Sequence, residues 1–159
     1  MVENQPSSAV EQRLADLGLT LPEVAKPVAA YVPAVITGNL VHTSGQLPFI
    51  NGELTVTGKV GAQVNAEEAK DQAATAVLNA LAVVKSMVGD LDRVTRIVKV
   101  VGFVASDPSF TGQPGVVNGA SELLGTVFGD AGIHARSAVG VAALPLDAAV
   151  EVELIAEFS

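Results

Sequence analysis

The stretch from Asn65 to Gly89 leaves this chain the least freedom. Asn65 can accept a hydrogen bond from the free N–H groups of a first helical turn. Glu68, three residues on, can return a bond to the cap. Ala69, Ala73, Ala76, Val77, Ala80, Leu81, Val84 and Val88 recur at helical spacing, and Gly89 suits the residue that ends a helix. The stripe is mainly alanine, and side chains that small let a helix lie close on a flat partner. A helix packed on a β-sheet is therefore predicted.

The flanking segments supply that sheet. Val94–Ala105 is rich in β-branched residues and reads as a strand. Residues 29–37, 40–44, 54–56, 137–143 and 149–158 read as further strands, with Gly38-Asn39 and Asn51-Gly52 as turns. Pro33 has no N–H for a ladder, which places its strand at an edge or bulge. A second sheet-packed helix is expected from Pro114 to Phe128, with Pro114 tolerated in the first turn and Gly129 at the end. Near the N-terminus, Ser8 and Glu11 fit a capping box for a short helix reaching Gly18, after a ragged 1–7. Pro22 and Pro27 make 19–28 an extended linker. The order is α+β, with two helices on one face of a mixed sheet. The strand after Arg136 is almost wholly apolar, so the second face also needs cover, which a homo-oligomer would supply. The expected division is an N-terminal extension, 1–27, and a main domain, 28–159.

Composition narrows the function. The 159 residues suit one domain with an adequate core, and the formal net charge of −8 lacks the basic footprint of a nucleic-acid binder. Aromatics are 4% of the chain, so a stacking platform is not expected. There is no cysteine, which removes disulfides and thiolate chemistry. No apolar run reaches the ~20 residues that span a bilayer, and no signal-peptide pattern opens the chain, so a cytoplasmic protein is expected.

The residues that can carry chemistry are few. Arg136 is either a strand-edge arginine or a clamp for a carboxylate, since a planar guanidinium offers two parallel donors where lysine offers a point charge. Glu151 and Glu153 share one face of their strand, either as a solvated acidic edge or with one carboxylate partly buried and able to handle a proton. His42 and His134 have no metal-ligand spacing and read as structural. Tyr31 fits core packing and Asn118 a solvent-facing helix position. Ser44 has no base adjacent in sequence, and Gly115 and Gly119 are not followed by the Lys-Ser/Thr of a phosphate loop.

Four segments together resemble a known family. T-S-G-Q-L-P at 43–48, V-V-N at 116–118, A-R-S-x-V-x-V-x-x-L-P at 135–145 and V-E-V-E at 150–153 are similar to the Rid/YjgF reactive-intermediate deaminases, often labelled endoribonuclease L-PSP. The resemblance covers about residues 28–158; the first 27 resemble the extension of a longer subgroup. It implies a chorismate-mutase-like α+β fold, a homotrimer with clefts between subunits, and cofactor-free hydrolysis of 2-imino acids to 2-keto acids and ammonia. Arg136 would bind the substrate carboxylate and Glu151 would hold or activate water. Tyr31, Ser44, Gly45 and Asn118 match family positions lining the cleft. Ala138 stands where the family often has cysteine; this removes a thiol but leaves a carbonyl that can position water. The alternatives are a non-catalytic carboxylate-binding or metabolite-sensing protein and, against the acidic balance, a ribonuclease.

Overall fold

In a computed structural model, residues 8–27 and 29–159 are described. The expected ragged 1–7 and the last linker residue, Val28, lie outside them. The elements in chain order are α1 (Ala9–Asp16), β1 (Ala34–Thr37), β2 (Leu40–Thr43), α2 (Ala66–Val88), β3 (Val94–Ala105), α3 (Gln113–Phe128), β4 (Ala135–Val141) and β5 (Val150–Phe158). One five-stranded sheet has the order β1-β2-β5-β3-β4. β4 runs parallel to β3, joined to it through α3, and the remaining pairings are antiparallel. This is the mixed α+β sheet expected from the sequence.

The long helix forms as its ends dictate. Asn65 Oδ1 accepts from Glu68 N–H at 2.9 Å, and Glu68 accepts from Asn65 N–H at 3.1 Å. Gly89 follows at φ +89°, a conformation side chains resist. The alanine stripe is fully buried against the sheet and α3. α2 and α3 approach so closely that a Cβ on Gly119 would strike the Lys70 carbonyl. Alternation along β5 divides the sheet into two faces. Val150, Val152, Leu154 and Ala156 are buried under the helices, while Glu151, Glu153, Ile155 and Glu157 lie half-buried on the opposite face.

A third helix joins the same core. α1 contributes Val10 and Leu14, and Arg13 Nη1 donates to the Val127 carbonyl at 2.8 Å. Ser8 caps α1 by accepting from Glu11 N–H at 2.9 Å. The Glu11 carboxylate, expected to complete a capping box, instead pairs with Lys85 at 2.6 Å. A full positive charge on α2 is the stronger partner.

Three boundaries differ from the sequence reading. Residues 54–56 form no strand; this stretch is flanked by isolated bridges at Glu53 and Thr57. No neighbouring strand runs beside it for long enough to build a ladder. The first strand begins only at Ala34, because Pro33 precedes it without an N–H to donate. β4 starts at Ala135, where pairing with Lys99 begins, so Arg136 stands inside the strand rather than ahead of it.

Candidate functional site

Arg136 pairs with Val100 of β3, a residue fully buried beneath the helices, so its side chain emerges on the helix face at the sheet edge. There it meets α3. Nη1 donates to Asn118 Oδ1 at 2.7 Å and to Ser121 Oγ at 3.2 Å, and Nη2 donates to the Pro114 carbonyl at 3.3 Å. Both Nη1 hydrogens are thus occupied within the chain. Among the described residues Nε donates to nothing, and no carboxylate forms an ion pair with the guanidinium. Nε–H and one of the two Nη2 hydrogens remain unspent, and such a pair of donors suits a planar anion. Asn118, expected to face solvent on composition alone, spends its carbonyl on Arg136 and keeps its amide N–H groups. Ala138 lies two residues along the same face, opposite Gly102 and packed on the core.

Glu151 occupies the other face. It pairs with Phe103, three residues beyond Val100 on β3, and three steps along a strand reverse the side. Burial, the larger cause, and the neighbouring Glu153 charge together push its carboxyl above the usual range. Gly45 lies directly against it: a Cβ there would come within 2.5 Å of Glu151 Oε1. The glycine is held in place by Gln46, whose N–H and carbonyl bridge to Val152 at 2.8 and 3.0 Å. Ser44 ties this segment to the chain entering β1. Its hydroxyl donates to the Val32 carbonyl at 2.6 Å and its N–H to the Pro33 carbonyl at 2.7 Å. Tyr31 lies just before those carbonyls and is 52% exposed, so it is not the core tyrosine that a strand assignment suggested.

The candidate residues therefore fall into two groups. Arg136, Asn118 and Ala138 gather at the β4 edge on the helix side. Ser44, Gly45, Glu151 and the Tyr31 segment gather on the open face. One chain does not bring the groups together. A cleft of about 540 Å³ between α1, residues 19–24 and the end of α2 contains neither group.

Two further residues belong with Arg136. His134 Nε2 is 2.9 Å from Ser121 Oγ, and His134 Nδ1 is 2.6 Å from the Gly132 carbonyl. Sequence spacing concealed this contact, because the serine sits on α3 and the histidine thirteen residues later. Among the described residues the serine–histidine pair involves Ser121, not Ser44. No group of three or more His, Asp or Glu side chains suited to a metal occurs among the described residues. None of the described helices is long and apolar enough to cross a membrane.

Residues 11–158 match the family described as "YjgF/chorismate_mutase-like, putative endoribonuclease". The chain belongs to that family. It is 45% identical over 154 residues to protein TCP17 of Trypanosoma cruzi, covering 96% of each chain. It is 36% identical over 132 residues to the 2-iminobutanoate/2-iminopropanoate deaminase of Escherichia coli K12, covering 81% of this chain and 88% of that one. Among solved structures, protein Atu1372 of Agrobacterium tumefaciens superposes with a TM-score of 0.89 at 47% identity, covering 95% of this chain and 93% of the other. The YjgF-like chain described here thus shares its fold with relatives that include imine deaminases, and its match to the family takes in most of α1.

Proposed function

We propose that this YjgF-like protein hydrolyses 2-imino acids to 2-keto acids and ammonia without a cofactor, in a cleft completed by a second copy of the chain. The observation that carries the reading is the Arg136 guanidinium. It is pinned at Nη1 by Asn118 and Ser121, with Nη2 also donating to the Pro114 carbonyl; among the described residues no carboxylate pairs with it and Nε donates to nothing. A carboxylate is the ligand that matches the unspent donors in charge, planarity and spacing.

The chemistry asks little of the protein. The iminium carbon is already electrophilic, so fixing the carboxylate and placing a water supplies most of the acceleration. Water oxygen bonds to the imine carbon as the C=N electron pair moves to nitrogen. The attacking water loses a proton and the nitrogen gains one. The resulting carbinolamine expels ammonia as its hydroxyl proton leaves and the C=O forms. Glu151 is suited to these transfers because its carboxyl holds a proton at a higher pH than an ordinary glutamate. Glycine at position 45 lets that carboxylate lie against the backbone, where a Cβ would come within 2.5 Å of Glu151 Oε1.

Since Arg136 and Glu151 face opposite ways in one chain, they act on one substrate only if Glu151 of one copy meets Arg136 of another. The open sheet face offers a surface for that assembly. Val35 is 54% exposed and Val139 43% exposed, and Val101, Phe103 and Ile155 lie half-buried between them. A homotrimer with three clefts follows as the proposed assembly, with Tyr31, Ser44 and Gly45 on the Glu151 wall and Asn118 and Ala138 on the Arg136 wall. The test couples a threonine dehydratase to the protein and follows keto-acid release. Acceleration by the wild type and its loss in Arg136→Ala are expected; equal acceleration by both would remove Arg136 from the mechanism.

A further inference from the structure

We infer that Ser121 and His134 are positioning residues that fix the carboxylate-binding edge of Arg136. The inference rests on the reading of Arg136 as an anion clamp and adds to it two residues that the family resemblance did not assign.

The direction of each hydrogen bond follows from the partner at the end of the line. The Gly132 carbonyl can only accept, so His134 Nδ1 carries the proton at that 2.6 Å contact. In the neutral imidazole Nε2 is then an acceptor, and the Ser121 hydroxyl donates to it across 2.9 Å. With its hydrogen committed to the histidine, Ser121 Oγ turns a lone pair to Arg136 Nη1 at 3.2 Å. Asn118 Oδ1 takes the second Nη1 hydrogen at 2.7 Å. A serine hydroxyl alone can rotate and point its hydrogen at the guanidinium, which repels it. His134 removes that choice.

Three elements are tied by this line: the turn Gly129–Gly132, α3 and the start of β4. Arginine side chains carry many rotamers, and fixing one corner of the guanidinium aims the opposite edge. The line thereby lowers the cost of ordering Arg136 when a carboxylate binds. Ser121 and His134 touch no substrate in this scheme; they act through Arg136.

Binding of 2-oxobutanoate is measured by calorimetry at neutral pH on the full chain. The wild type is compared with Arg136→Ala, Ser121→Ala, Ser121→Thr and His134→Gln, with butan-2-one as the probe lacking a carboxylate. Loss of a hydrogen bond to a charged group predicts affinity ~10-fold weaker in Ser121→Ala, recovered in Ser121→Thr, which restores the hydroxyl. His134→Gln is expected to weaken binding in the same direction, and the effects of Ser121→Ala and His134→Gln are expected to be less than additive when combined. In turnover, Ser121→Ala raises KM and leaves kcat. Butan-2-one binding is expected to be indifferent to all these changes. If Arg136→Ala binds the keto acid as the wild type does, the clamp reading falls, and this inference with it. If Arg136 is required but Ser121→Ala and His134→Gln both bind as the wild type does, the inference alone is overturned. Both side chains are partly exposed, so folded variants are expected; should Ser121→Ala not fold, His134→Gln and Ser121→Thr decide the matter.

Discussion

Arg136 and Glu151 stand on opposite faces of one sheet. Arg136 is opposite Val100 and Glu151 opposite Phe103 on the same central strand, and the odd separation of those two partners sets the faces apart. Any reaction that uses both residues on one substrate needs two copies of the chain. The proposed imine hydrolysis is therefore expected to depend on assembly as closely as on either side chain.

Assembly is the first expectation. Val101→Glu puts a carboxylate on the open face beside Glu153, its neighbour in the β3–β5 pairing. Burying two unpaired like charges at a subunit contact costs several kcal/mol, on the order of a buried unpaired ion. Light scattering should show the wild type as a trimer and this variant as a monomer, with imine hydrolysis lost in parallel. A monomeric wild type with full activity would contradict the two-copy cleft.

The fork at Arg136 makes a second expectation. Arg136→Lys keeps the charge but not the two parallel donors, nor the planar corner that Asn118 and Ser121 hold. One charge-assisted hydrogen bond is worth about 1.5–3 kcal/mol, so kcat/KM should fall ~10- to 100-fold, nearly as far as in Arg136→Ala. A lysine variant with near-native activity would show that charge alone suffices.

Glu151 gives opposite signs for stability and activity. Its carboxyl is raised by burial and by Glu153, so the folded state holds the proton at a higher pH than the unfolded chain does. The ionised form is therefore a penalty on folding. It is absent below the unfolded value and grows as pH rises through the window between the unfolded and the raised folded value. Glu151→Gln removes it: the Tm should rise slightly at neutral pH, stay unchanged in acid, and imine hydrolysis should be lost. Thermal melts across pH, beside the dehydratase-coupled assay, check both halves.

Gly45→Ala separates the site from the fold. The new Cβ would come within 2.5 Å of Glu151 Oε1, the flexible end of a half-buried side chain. The carboxylate can swing aside, so stability should change by less than about 1 kcal/mol. Its displacement from the cleft should lower kcat ~10- to 100-fold, as for a misplaced catalytic group. A denaturant titration and steady-state kinetics measure the two effects.

The N-terminal helix offers a last expectation. Asp92 accepts from the backbone N–H of Ala9 at 2.8 Å and of Val10 at 3.0 Å, at the start of α1. Burial opposes ionisation of this carboxylate, yet the Val10 and Ala9 donors with Ser8 and Arg13 outweigh it and hold its pKa below the usual 3.8. Its support is present above the unfolded value and is lost as pH falls through the lower folded value. Asp92→Ala should cost about 1 kcal/mol at neutral pH, in line with the loss of a helix cap. Leu14→Ala, which empties a fully buried site, should cost about 2–4 kcal/mol. Hydrogen exchange should report loosening of α1 in the first variant.

Much of this was legible in the residues. Asn65, Glu68 and Gly89 mark the long helix from both ends, because capping is a local exchange between side chains and nearby backbone. The valines of Val94–Ala105 mark β3 by composition alone. The resemblance named Arg136 and Asn118, and the structure places them 2.7 Å apart. Residues 54–56 misled because a short apolar alternation becomes a strand only when another strand runs beside it.

The sequence by itself determined the helices, the central strand, the Asn65–Glu68 cap and the Gly89 stop, since these rest on contacts a few positions apart or on local composition. Tertiary structure decided which face each residue occupies and which partner it meets. Strand register joins positions as distant as Phe103 and Glu151, and a shift of one residue would turn every side chain to the other side. For the same reason the line from Gly132 through His134 and Ser121 to Arg136 exists only once α3 has packed on β4.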